Sequence, residues 1–414
     1  MPKLVVLVHG WSVHNTNTYG ELAARLGTEA AGDPALDLDV RNIWLSKYVS
    51  FHDEVHVEDI SRAFEAALRN EVGTLLDAGE RVVVITHSTG GPVVRDWWNR
   101  FYVEHGETAS CPMSHLIMLA PANFGSALAQ LGKATVGRIM SWFDGIEPGQ
   151  GVLDWLELGS PESLALNRTW IAGTESWKST PPVFPFVLTG QSIDRKAYDH
   201  VNSYTGEIGS DGVVRAAAAN LNATYVRLVQ ELPRPSESGQ AQLWEAPALT
   251  VDVHQRAPET AFAILPGRSH SGETMGILRS IGTATVHPTV SAILRCLRVE
   301  TAADYEAVRQ EFAALTTQTV EAERVERHEH ILLKDTYTIH DQRSMVIVRI
   351  LDDRGHVVDD FDLLLLGQDN SPDRLPPGFF ADRQRNTRNR GTLTYFLNHD
   401  VMMDGPAIVA TDGT

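Results

Sequence analysis

Apolar runs of five or six residues recur as far as Leu265: Leu4–Val8, Arg81–Thr86, Leu116–Ala120, Val183–Leu188, Tyr225–Val229 and Ala261–Leu265. Near-continuous runs of this kind are strands covered on both faces, because a strand with one wet face would alternate. Helical patterns separate them. Between the first two, Ile60, Phe64, Ala67, Leu68, Val72 and Leu75 follow three- and four-residue spacing, and Gly79 supplies the turn before the next run. Strands joined through helices pair in parallel, since only a crossover connection returns the chain to the same edge. From Leu4 to about Val299 the chain is therefore expected to be α/β, a mostly parallel sheet with helices on both faces.

The second run leads directly into Thr86-His87-Ser88-Thr89-Gly90-Gly91, and a helical stretch from Pro92 to about Tyr102 follows. This is a G-x-S-x-G elbow with threonine in the first glycine position. So sharp a strand-to-helix turn strains the serine backbone and exposes its hydroxyl, and the residues two before and two after must be small. Gly90 meets that demand, Thr86 more loosely. The helix N-terminus behind the serine offers N–H groups and a favourable dipole to a developing oxyanion. Ser88 is the expected nucleophile, with an inert tight turn as the competing reading. His87 beside it reads as a packing residue. The first run ends in Val8-His9-Gly10-Trp11, a turn whose next backbone N–H would point at the nucleophile.

With these motifs in place, residues 4–299 resemble the α/β-hydrolase fold, and more narrowly bacterial lipases and PGAP1-like lipid esterases. The resemblance rests on the His9-Gly10-Trp11 turn, the Thr86–Gly91 elbow and the segment Leu119-Ala120-Pro121-Ala122-Asn123-Phe124-Gly125-Ser126, and it spans roughly seven-tenths of the chain. It implies an oxyanion hole formed by the backbone N–H groups of Trp11 and Thr89, and a cap or lid insertion over about 124–182. It also implies a triad in the chain order serine, acid, histidine. Asp194, Asp199, Glu207 and Asp211 follow the Val183–Leu188 run. Asp211, in Gly209-Ser210-Asp211-Gly212-Val213-Val214, matches the D-G-[LV]-V segment that carries the acid in the resembling lipases; Asp194 is the alternative. His270 lies on the loop after Ala261–Leu265, at the strand edge where this fold keeps its site. His254 and His287 compete with it, in a polar stretch and at the start of the final helix.

Four of the nine tryptophans, Trp142, Trp155, Trp170 and Trp177, fall in the cap window, where Leu128, Leu131, Val136, Ile139, Met140 and Phe143 make an apolar helical face. Trp142, Phe143 and Trp155 are the expected substrate contacts. A face that opens over lipid and a cap helix packed on the core both remain open readings. The 35 Lys+Arg against 53 Asp+Glu give a formal charge of −18, which disfavours nucleic acid and strongly anionic membrane as partners. An ester or lipid substrate, with a neutral or zwitterionic lipid interface, fits better; a protein partner is not indicated. The expected function is a serine carboxylester hydrolase on lipid-like esters, lipase or phospholipase in type. The alternatives are a soluble-ester or thioester hydrolase, an acyltransferase with the same triad, and a binding protein on a hydrolase fold.

Residues 300–330 read as a linking helix, with Tyr305, Val308, Phe312 and Leu315 at helical spacing, and 331–414 as a small all-β, sandwich-like domain. Its strands are expected at Tyr337–Ile350, Val357–Leu366 and Thr392–Leu397, and the run Arg383–Arg390 reverses the local charge. The spacing His52-x-x-x-His56 among Asp53, Glu54, Glu58 and Asp59 is that of a two-histidine metal site, but a solvated acidic helix start explains it better. Aspartates in the tail admit calcium and more ordinarily make turns. No phosphate-cradling loop or dinucleotide fingerprint occurs, and no metal or cofactor is expected. Cys111 and Cys296 lie far apart, outside any C-x-x-C spacing. The N-terminal apolar run is too short for a leader, which suggests a cytoplasmic protein, or one exported without a cleaved signal peptide. Asn167 and Asn222 head Asn-x-Thr sequences of little weight without a leader.

Overall fold

All but one of the apolar runs become strands of one sheet, their side chains removed from water on both faces. In a computed structural model, residues 2–9, 19–33, 36–49, 55–130, 149–193, 209–231, 249–282, 286–328, 336–367 and 371–403 are described. A six-stranded sheet of β1 (Lys3–His9), β2 (Leu38–Trp44), β3 (Val82–His87), β4 (Met113–Leu119), β5 (Phe184–Thr189) and β8 (Ala261–Ile264) runs in the order β2-β1-β3-β4-β5-β8. Every pairing in it is parallel. On one face α2 (Val57–Asp77) and α3 (Gly90–Trp98) bury Phe64, Leu68, Val93 and Trp97 against the sheet. On the other, α1 (Leu22–Ala31) and α6 (Pro288–Leu297) bury Leu22, Leu26, Ile293 and Leu297. The cap contributes α4 (Gln150–Leu156) and α5 (Pro161–Ala172).

Two strands differ from expectation. Edge strand β2 carries Asp39, Arg41 and Asn42 within seven residues, and its single neighbour is β1. An edge strand exposes more of its surface than an inner one, so it lacks the apolar run that betrays the others. Conversely, Tyr225–Val229 does not enter the parallel sheet. It forms β6 (Thr224–Gln230), which pairs antiparallel with β7 (Leu249–Arg256) in a separate two-stranded ribbon, because β8 takes the place beside β5. Leu228 and Leu249 there are 52% and 63% exposed.

The segment read as a linking helix becomes α7 (Ala302–Ala322), opened by a capping box between Thr301 and Asp304. It packs on edge strand β8 with Tyr305, Val308 and Phe312 buried among Phe184 and Phe186. The Tyr305 hydroxyl accepts the Ala261 N–H at 3.0 Å and donates to the Pro185 carbonyl at 2.6 Å, and Thr316 Oγ1 accepts the Ile264 N–H at 3.0 Å. Side chains of α7 thus satisfy strand groups that an open sheet edge would leave unpaired.

The C-terminal region is all-β. A hairpin of β9 (Val325–His328) and β10 (Thr336–Ile339) precedes a sheet of β11 (Arg343–Arg349), β12 (Phe380–Arg385) and β13 (Thr392–Asn398), in the order β11-β13-β12. The expected strand Tyr337–Ile350 is broken between Ile339 and Arg343, and Val357–Leu366 makes only the Leu351–Val357 bridge. Phe361, Leu363 and Leu365 instead cover Leu393, Tyr395 and Leu397, filling a sheet face rather than extending an edge. No helix among the described residues is long and apolar enough to cross a membrane.

Candidate active site

The ends of β3 and β8 bring Ser88 and His270 to one place, where Asp211 meets them from the turn Gly209–Arg215. Ser88 follows β3 at φ 52°, a positive value that an L-residue adopts only under strain. Its N–H donates to the Leu119 carbonyl at 3.0 Å and its carbonyl accepts the Gly91 N–H at 3.2 Å, fixing the elbow between β4 and α3. The small-residue requirement extends to Gly91: a Cβ there would stand 2.8 Å from Pro121 Cβ, against 3.2 Å between one at Gly90 and Thr86 Cβ.

His270, on the loop after β8, points Nε2 at Ser88 Oγ across 3.0 Å. Its Nδ1 lies 2.9 Å from Asp211 Oδ2, in the turn Gly209–Arg215. A carboxylate only accepts, so Nδ1 carries the proton and Nε2 is left to accept from the serine hydroxyl. Asp211 Oδ1 takes the Val213 and Val214 N–H groups at 3.0 and 2.7 Å, and the Asp211 carbonyl takes the His270 N–H at 2.8 Å. The Asp211 and His270 side chains are 0% and 5% exposed. Thr89 is the N-cap of α3, so its N–H has no partner within the helix and borders the serine.

Other expected residues fall elsewhere. Trp11, Trp142, Phe143 and Asp194 lie outside the described residues. Trp155 is 5% exposed, in the cluster that holds Phe124, Val152 and Leu156, and so supports the cap from within. Trp170 packs on Trp98, and Trp177 on Tyr305. His254 sits on exposed β7, while buried His287 accepts the Thr289 N–H as the N-cap of α6. His56 caps α2, where Glu58 and Asp59 pair with Arg62; His52, Asp53 and Glu54 lie outside the described residues. Among the described residues no three His, Cys, Asp or Glu side chains gather as metal ligands. The side-chain amides of Asn167 and Asn222 are both engaged by internal hydrogen bonds.

His87 does more than pack. Its Nε2–H donates to the His270 carbonyl at 3.2 Å, with ring centroids 4.8 Å apart. Burial, and then the neighbouring His270, hold it well below the usual histidine range, so it stays a neutral donor. Ser126, at the end of the segment that carries the resemblance, has no role assigned from sequence: its Oγ donates to the Val213 carbonyl beside Asp211 at 2.6 Å.

Phospholipase PlaB from Legionella pneumophila is 47% identical to this chain, with a TM-score of 0.86 over 98% of this chain and 81% of that one. The chain belongs to the PlaB family. The same Legionella phospholipase in complex with thio-NAD matches this family member at 46% identity and TM-score 0.85, over 97% and 81% of the two chains. The mature lipase BlEst2 of Bacillus licheniformis is 18% identical over 53% of this chain and 79% of that one, at TM-score 0.37. No protein-family model and no curated protein matches the chain. Like PlaB, this member joins the parallel sheet of an α/β-hydrolase to a C-terminal all-β region.

Proposed function

We propose that this chain is a serine carboxylester hydrolase of the phospholipase type, in which Ser88 is acylated and then released by water. The carrying observation is the line of hydrogen bonds from Ser88 Oγ through His270 to Asp211, at 3.0 and 2.9 Å. His270 Nε2 takes the serine proton as Oγ attacks the acyl carbonyl, and returns it to the departing alcohol. Water then adds to the acyl-enzyme by the same proton relay, freeing the acid. Asp211 keeps the imidazole in the tautomer that can accept, and stabilises the imidazolium that forms. The oxyanion is assigned to the Thr89 and Trp11 backbone N–H groups, each such donor being worth on the order of 10²–10³ in turnover. Family membership beside a phospholipase favours glycerophospholipids over soluble esters. The related Legionella phospholipase is also known in complex with thio-NAD, and no step proposed here passes through a dinucleotide.

A fluorophosphonate probe should label wild type and leave Ser88→Ala unlabelled, with hydrolysis of phosphatidylcholine vesicles lost in parallel. Labelling that survives in Ser88→Ala removes the nucleophile assignment. A folded wild type that cleaves p-nitrophenyl acetate but no vesicle phospholipid favours the soluble-ester reading instead.

A further inference from the structure

The acid loop is gripped from outside the parallel sheet. It runs from Gly209 to Arg215 and closes on itself through a Ser210–Arg215 bridge and an Ala216 N–H to Gly209 carbonyl bond of 3.0 Å. From its closing residue, the Arg215 side chain enters the C-terminal sheet, where it is 7% exposed. Nη2 donates to Asp382 Oδ2 on β12 at 2.9 Å, and the guanidinium lies over the Phe396 ring on β13, 3.7 Å from its centroid. A bulge in β12 falls between Phe380 and Asp382, a device that re-aims a side chain at the cost of ladder regularity. β11 closes the other side, since a Cβ on Gly209 would stand 3.4 Å from Arg343 Cγ.

A second tether reaches the same loop. The Glu157 carboxylate accepts the Thr387 N–H and hydroxyl, both at 2.6 Å, and Asn389 donates to the Gly159 carbonyl at 3.1 Å. Glu157 bridges to Ser126, whose hydroxyl holds the Val213 carbonyl, and Val213 donates to Asp211 Oδ1. Both chains of contact start on the β12–β13 part of the tail and end on the loop that carries Asp211, the second of them at its carboxylate.

We propose that Arg215, clamped by Asp382 and Phe396, is a positioning residue for the catalytic acid, and that the C-terminal sheet thereby completes the active site. The inference rests on the triad reading given above. The loop Gly209–Arg215 has no helix or strand of its own to set the carboxylate, and it is held at Arg215 by the tail directly and at Val213 through Ser126. A displacement of about 1 Å in such an arrangement costs on the order of 10²-fold in rate. Arg215 is buried and Asp382 only partly so, and removing the carboxylate loosens the grip by which the tail holds the end of the loop.

The test uses the full chain and p-nitrophenyl butyrate, a soluble ester that needs no interface, beside phosphatidylcholine vesicles. Asp382→Asn keeps shape and removes charge; kcat on the soluble ester should fall about tenfold or more with KM within about twofold, and Asp382→Glu should restore most of it. Phe396→Leu, which keeps an apolar strand residue and removes the ring, should lower kcat in the same sense and carries the test if Asp382→Asn does not fold. A folded Asp382→Asn or Phe396→Leu with wild-type kcat overturns the proposal. So does a loss confined to vesicles, which would make the tail a lipid-surface module. Wild type and Ser88→Ala run alongside: activity in Ser88→Ala fails the triad itself, whereas a dead Ser88→Ala with an unaffected Asp382→Asn fails only this inference.

Discussion

Ser88, at φ 52°, holds its hydroxyl against His270 because its own N–H is committed to β4 and the residue before it, His87, to the carbonyl of His270 itself. The nucleophile strand therefore fixes the base through its backbone as well as through the serine. His87→Ala removes one buried hydrogen bond of about 1 kcal/mol, and kcat on a soluble ester should fall about fivefold with KM unchanged. A steady-state comparison showing equal kcat would mean that the bonds from His270 to Asp211 suffice.

Among the elements, the contact between α3 and the segment that follows β4 bears directly on Ser88. Glycine at position 91 lets the first turn of α3 lie against Pro121 and Met118, and that approach sets the direction in which the elbow presents Ser88. Gly91→Ala puts a methyl 2.8 Å from Pro121 Cβ, so helix or loop must yield. The expected cost is about 1–3 kcal/mol, read as a lower urea midpoint, together with slower fluorophosphonate labelling. An unchanged midpoint would show that the helix has room to slide. α7 teaches a related lesson. Its outward face is polar, yet Tyr305 and Thr316 close the exposed edge of β8, so the helix belongs to the strand that delivers His270.

At the scale of the whole molecule, burial of neutral histidines ties stability to pH. His9 and His287 are each lowered to about 4 and His115 to about 3, chiefly by burial. The unfolded chain binds a proton at each of these sites near pH 6.5 and the folded chain does not, so stability is complete above that pH and falls as the pH drops toward the folded values. Each histidine contributes a slope of about 1.4 kcal/mol per pH unit within that window. The urea midpoint should be lower at pH 5 than at pH 7.5, and equal midpoints would contradict the burial. The charge of −18 also takes a more local form: in the basic run of the tail, Arg388 pairs with Asp154 and Arg385 holds backbone carbonyls, so part of that positive charge serves internal contacts.

What the sequence by itself determined was local. The elbow around Ser88 is legible because a sharp strand-to-helix turn admits few residues; His270 is pointed to by its place just after an apolar run, and Asp211 by the resembling D-G-[LV]-V segment. The parallel core is legible because strands buried on both faces must be apolar throughout. Neighbour choice was not legible. β2 hides behind Asp39, Arg41 and Asn42, and β6 has a strand's composition but lies outside the sheet. The tertiary structure alone joined Arg215 to Asp382, 167 positions away, and Glu157 to Thr387, 230 positions away. Backbone sterics act between adjacent residues and so leave a mark on the sequence, whereas a contact between distant residues exists only after the intervening chain has closed and packed.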